Sequence, residues 1–267
     1  MTEPAADVRE ALAALAARDP ARRAFGAAHH RYELAPPLTA DEVAEVERAL
    51  GAALPDELRA FALEGGGGGA GPCYGWISPV RAAARAVEAP APEVPWRRAL
   101  AVAHLGCAYA AVVPLDGAAR GEVWIDARAI GRIAPMHPSF GAFYADWIDR
   151  LARAAWPESF VPPGACALPA ALGGYFDVCE RRLGLAPGTL AGEALREALS
   201  ALGPGAIAIA ADGAPALFDD GDRVDPCIAC ARLLESLAAD GLGDDVVSPG
   251  VPPLVTRLSD GSSMILR

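Results

Sequence analysis

Residues 34–76 read LAPPLTADEVAEVERALGAALPDELRAFALEGGGGGAGPCYGW, a pattern of two short helices, a glycine loop and the start of a strand. Thr39 sits where a helix N-cap is wanted, and Glu42 follows three residues later, the spacing of a capping box. Val43, Val46 and Leu50 recur at i, i+3 and i+7, while Asp41, Glu45, Glu47 and Arg48 take the opposite side. Gly51 closes that helix. Pro55 suits the first turn of the next, because the N–H it lacks has no partner there. Leu58, Phe61 and Ala62 supply an apolar stripe, and the glycines from Gly65 to Gly69 end the helix.

Working outward, residues 5–18 read as a helix with Val8, Leu12 and Leu15 on one face, and Asp19–Leu34 as a connection. Tyr74–Ile77 begins a strand, Ser78-Pro79 turns the chain, Arg81–Glu88 reads as a short helix, and Ala89–Pro95 as an extended, proline-rich loop. Ala108–Leu115 is apolar enough for a central strand, Asp116-Gly117 is a turn, and Gly121–Asp126 returns as its hairpin partner. On that return Val123 and Ile125 point one way, and Glu122, Trp124 and Asp126 the other. Ser139 can cap a last helix whose Phe140, Phe143, Tyr144, Trp147, Ile148 and Leu151 form one stripe, the mark of a core helix.

These motifs resemble the SUKH superfamily, which includes the Smi/Knr cell-wall regulators and many bacterial toxin-immunity proteins. The pattern PPLT…E…LG..LP..LR.F…GGGGAGP.YGW carries the resemblance. FGAAHHRYELAPPLT before it, LGCAYAAVVPLDGAARGEVWID (Leu105–Asp126) and FGAFYADWIDRL (Phe140–Leu151) extend it over about residues 20–156. It implies an α+β domain, helices packed on a mostly antiparallel sheet, and a protein that works by binding.

Composition bounds the rest. The chain has 267 residues, 53% hydrophobic, with a net charge of −11, and all 23 basic residues are arginine. Arginine without lysine, amid abundant Ala, Gly and Pro, points to a bacterial genome of high GC content. Residues 1–157 carry 19 acids and 16 arginines, and residues 158–267 carry 15 and 7. With the proline-rich stretch Glu158–Pro169, this divides the chain into a SUKH-like domain, 1–157, and a smaller acidic α+β domain, 158–267. In the latter, Ala170–Leu183, Thr189–Leu202 and Asp225–Ala239 read as helices. Ala206–Phe218 and Leu254–Leu266 read as hairpins around Asp212-Gly213 and Asp260-Gly261. The charge argues against nucleic acid or an anionic membrane as partner. No run fits a signal peptide or a membrane span, so a cytoplasmic location is expected.

Chemistry finds little foothold. Cys227 and Cys230 form a C-x-x-C at a helix start, where a thiolate is favoured, but neither a parallel βα setting nor a second cysteine pair accompanies them. They leave a thiol-dependent redox protein as a minor reading. His29 and His30 are neighbours that point apart, without a third ligand. His104 and Cys107 lack an oxyanion hole and an orienting carboxylate. The glycine loop follows a helix and has no lysine after it, so it is not a phosphate cradle. The expectation is therefore a protein that is not an enzyme, with no catalytic residues, metal or cofactor. The resemblance implies an immunity protein that binds a toxin domain, for which a basic nuclease would suit the charge. Tyr74, Trp76, Glu122, Trp124 and Asp126 are its candidate contact residues. A regulatory scaffold of the Smi/Knr type is the alternative. Oligomeric state stays open.

Overall fold

The capping box at Thr39 forms: Oγ1 accepts from the Glu42 N–H at 3.2 Å, and the Glu42 carboxylate accepts from the Thr39 N–H at 2.7 Å. The structure is a computed structural model describing residues 5–84, 86–89, 93–106, 109–128, 131–153 and 176–200, with 227, 228, 230, 233, 255–257 and 263–265. The described residues fall into two compact units, one up to residue 153 and one from 176 on.

In the first unit, helices α1 (Ala5–Arg18), α2 (Ala27–His30), α3 (Ala40–Leu50) and α4 (Asp56–Ala60) precede the sheet. The predicted stripe of α3 is its buried face: Val43, Val46 and Leu50 are all buried. Helix α4 runs on into a wider π turn, Phe61–Gly65, closed by the Gly66 N–H donating to the Phe61 carbonyl at 3.0 Å. A one-turn helix, α5 (Pro79–Ala83), and helix α6 (Phe140–Ala152) complete the set. Ser139 caps α6 through the Ala142 N–H, as its position suggests.

Five strands follow one another in space as in sequence, all antiparallel: β1 (Val87–Glu88), β2 (Arg98–Gly106), β3 (Tyr109–Pro114), β4 (Val123–Ala127) and β5 (Arg132–His137). The α+β class inferred from sequence is the architecture seen. Three strands run where none is expected, β1, β2 and β5. Strand β2 is rich in alanine, a strong helix former and weak strand former, so local preference does not announce it. Strand β5 carries Pro135, which an edge strand tolerates and a central one does not. The stretch Arg81–Glu88 is also corrected: Pro79 opens the helix, which ends at Ala83, and Val87–Glu88 pairs with β2.

Tyr74–Ile77 lies along β2, with the Tyr74 N–H donating to the His104 carbonyl at 3.1 Å and the Ile77 N–H to the Val102 carbonyl at 2.9 Å, and Trp76 bridges Ala103 on one side and Gly69 on the other. Gly69 in turn bridges Leu34. Four backbone segments thus lie side by side, and glycine makes that approach possible. Gly69 has φ +106°, and a Cβ there would come within 2.3 Å of the Glu33 carbonyl oxygen. At Gly66 it would meet the Ala35 oxygen at 2.9 Å. The fixed loop carbonyl of Gly66 accepts from Trp76 Nε1 at 3.0 Å. Phe61 and Phe140 pack on that indole, and Tyr144 and Trp147 extend the cluster along α6. Phe61 lies 4.7–5.7 Å from Trp76, Phe140 and Tyr144, and Tyr144 lies 5.2 Å from Trp147. The Tyr144 hydroxyl donates to the Ala70 carbonyl at 2.7 Å, tying α6 to the end of the glycine loop.

In the second unit the described elements are α7 (residues 176–183), α8 (Gly192–Ser200) and a hairpin of β6 (Val255–Arg257) and β7 (Ser263–Ile265). The Glu180 carboxylate accepts from the Gly188 and Leu190 N–H groups, each at 2.8 Å, and so pins the turn between α7 and α8. The expected hairpin at Ala206–Phe218 lies outside the described residues, as does most of Asp225–Ala239.

Two glycines separate strain from collision. Gly51 has φ +60° with nothing within 4 Å of an added Cβ, so Gly51→Ala should cost about 1 kcal/mol. Gly69→Ala adds a backbone collision and should cost roughly 3 kcal/mol or prevent folding. Urea unfolding of both variants checks this, and equal losses would refute it.

Candidate interaction face

The face of β4 that carries Trp124 is defined by register. Trp124 lies opposite Val112 of β3 and Pro135 of β5, and Asp126 opposite Ala110 and Ile133. Directly opposed residues point to the same side of a sheet, so His104 of β2, paired with Ala110, belongs to this face too. Tyr74 comes up to it: its ring lies 5.0 Å from that of His104, 5.1 Å from Phe25 and 4.9 Å from His29.

The five candidate contact residues are not equivalent. Trp124 is half-buried, with Nε1 donating to Glu122 Oε2 at 2.9 Å and the Trp96 ring 6.4 Å away. Glu122 is half-buried, as is Tyr74. Asp126 is only 3% exposed and is taken up by Arg128: Nε and Nη2 reach its carboxylate at 2.6–3.1 Å, and the Arg128 N–H donates to Oδ1 at 3.2 Å. Arg128 Nη2 also donates to the Glu88 carbonyl at 3.1 Å, so the pair clamps β4 to β1. Trp76, 3% exposed, stands apart among the aromatic rings against α6. The structure therefore brings Glu122 and Trp124 together in contact and leaves Tyr74 accessible near His104. It places Asp126 and Trp76 in the interior.

Arg128 and Trp96 bound this face and are not singled out by sequence reasoning. Arg128 had a readable signal, since a residue two positions beyond a strand carboxylate can fold back onto it. Trp96 had none, because a proline-rich loop does not say which face it crosses.

Of the other chemical candidates, Cys107 lies outside the described residues. His29 is exposed beside Tyr74. His30 is buried, its Nδ1 accepting from the Tyr32 N–H at 3.1 Å. Among the described residues no group of three His, Cys, Asp or Glu could hold a metal ion. Cys227 and Cys230 are buried thiols.

An antiparallel sheet with helices before and after it and a glycine loop built into its edge defines an α+β domain. Residues 37–146 match the SMI1 / KNR4 family (SUKH-1). Neither a curated protein nor a solved structure matches the chain. Among the described residues no helix is long and apolar enough to cross a membrane.

Burial sets a pH dependence. Desolvation, helped by the charge of His29, pushes His30 down to about 4 and His104 down to about 3. Unfolded histidine titrates near 6.5, so below that pH the unfolded chain binds protons that the folded chain refuses. Stability is complete above pH 6.5 and falls as pH drops toward 4, by about 1.4 kcal/mol per pH unit for each histidine. Urea midpoints from pH 7 to 5 should show this fall, and His30→Gln should flatten it. A variant with the wild-type slope would assign the effect elsewhere.

Proposed function

We propose that this chain is a binding protein without enzymatic activity, an immunity protein that neutralises a cognate toxin in the cytoplasm by direct association. The observation that carries the reading is the SUKH-1 match over residues 37–146, in a superfamily that includes many toxin-immunity proteins. Local geometry agrees with it. An indole half-open on a sheet face, its N–H already oriented by Glu122, is a preorganised anchor of the kind that dominates interface energetics. A net charge of −11 favours a basic partner such as a nuclease, through faster encounter and by covering a surface that would otherwise hold phosphates.

Tyr74, Glu122 and Trp124 form the contact surface in this reading. Asp126 and Trp76 act from within, the first by holding Arg128 and the second by holding the glycine loop. The thiols of Cys227 and Cys230 serve packing. A thiol reagent such as dithionitrobenzoate should therefore react with them slowly in the native protein and fully in denaturant. Rapid native reaction would favour the redox alternative.

Tagged protein recovered from its host should carry one stoichiometric partner that is lethal when produced without it. Trp124→Ala should weaken that complex about 30-fold, the scale of a central aromatic anchor, with the unfolding midpoint measured alongside to separate contact from stability. Full affinity in a folded Tyr74→Ala/Glu122→Ala/Trp124→Ala protein would exclude this face. A retinue of cell-wall or signalling proteins in place of a toxin would favour the regulatory scaffold.

A further inference from the structure

An open cleft of about 500 Å³ lies between α1 and the two chain segments that flank α2. Every residue lining it precedes residue 37, so it lies outside the stretch matched to the SUKH-1 family. One face of α1 forms a wall, with Arg9, Leu12, Ala13 and Ala16 at i, i+3, i+4 and i+7. The two alanines leave the space that larger side chains would fill. Leu34 adds to the apolar lining.

The rim is basic in a protein that is otherwise acidic. Three guanidinium groups, those of Arg9, Arg22 and Arg31, line the cleft against the two carboxylates of Asp19 and Glu33. Asp19 is already committed: it accepts from the Arg23 N–H at 2.8 Å, the Ala24 N–H at 3.0 Å and the Tyr32 hydroxyl at 2.7 Å. Arg9 is partly committed, donating from Nη2 to the Gly65 carbonyl. Arg22 and Arg31 bond through their backbone N–H groups, to Asp19 and Ala27. Among the described residues no carboxylate pairs with either of their guanidinium groups.

The backbone of this cleft is also held in an uncommon state. Four described residues other than glycine have positive φ, and three of them line the cleft: Arg22 at 52°, Arg31 at 53° and Tyr32 at 62°. Left-handed backbone disfavours side chains with a Cβ and concentrates at ligand clamps. Here it sets Arg22 and Arg31 on the rim of the cleft.

We propose that this cleft binds a small organic anion with an apolar body, its carboxylate taken by Arg22 and Arg31 and its body lying against Leu12, Ala13, Ala16 and Leu34. The volume is within the range of small-molecule sites, roughly 300–1,000 Å³. Guanidinium groups suit a planar carboxylate because they can donate two parallel hydrogen bonds. The site is separate from the sheet face assigned to the protein partner, so either reading can fail alone.

Octanoate is a suitable probe, titrated into the full chain by calorimetry, with octanol and octylammonium as matched neutral and cationic controls. Octanoate should saturate a single site, and both controls should bind at least about tenfold more weakly. Arg22→Gly/Arg31→Gly keeps the left-handed backbone at no steric cost and should weaken octanoate by about tenfold or more at an unchanged unfolding midpoint. Arg22→Lys/Arg31→Lys should retain part of the affinity. Ala13→Phe, at an exposed helix position, should block the cleft and abolish binding. Equal binding of octanoate and octylammonium, no saturable octanoate binding, or undiminished affinity in the Gly or Phe variants would overturn the proposal.

Discussion

The contact of backbone against backbone at Gly69 is the constraint on which the rest of the first unit depends. Leu34, Gly69, Trp76 and Ala103 belong to four segments laid edge to edge, and a Cβ at Gly69 would drive the Glu33 segment away. The Gly69 and Trp76 N–H groups exchange hydrogen bonds with each other's carbonyls, at 3.0 and 2.8 Å. That exchange fixes where Trp76 points, and so where Phe61 and α6 must pack. Buried backbone groups need partners, and this loop finds them by lying flat against its neighbours.

Polar groups near the sheet follow the same economy. Asp126 would be an expensive buried charge if it were alone, but Arg128 meets it with two nitrogens and a backbone N–H. Its contribution is to position β4 against β1. Glu122 and Trp124 are different because their mutual hydrogen bond is local and near solvent. This difference between a spent carboxylate and a preorganised indole is invisible in the pattern Glu122-Val123-Trp124-Ile125-Asp126, where all three outward residues look alike.

Sequence patterning was most informative where structure is local. The capping box at Thr39, the stripe of α3, the end of a helix at the glycines and the aromatic face of α6 each depend on residues within a few positions of one another. The β3–β4 hairpin was legible for the same reason, with Asp116-Gly117 between two strands. Strand β2 was not, because an alanine-rich segment becomes a strand only when β3 supplies its hydrogen bonds. The cleft beside α1 was hidden as well: Ala13 and Ala16 read as helix formers, and nothing local says that empty space stands over them.

The sequence by itself determined α1, α3, α4 and α6, the β3–β4 hairpin and the acidic balance, because spacing and composition are properties of the chain alone. Tertiary structure decided which candidates are accessible. It buried Asp126 against Arg128 and Trp76 against α6 while leaving Tyr74, Glu122 and Trp124 partly open, and it drew Arg9, Arg22 and Arg31 around one cleft. The physical reason is that exposure and partnership depend on residues far apart in the chain, as Arg128 is from Glu88 and Gly69 from Glu33. Only the folded backbone brings such groups within bonding distance.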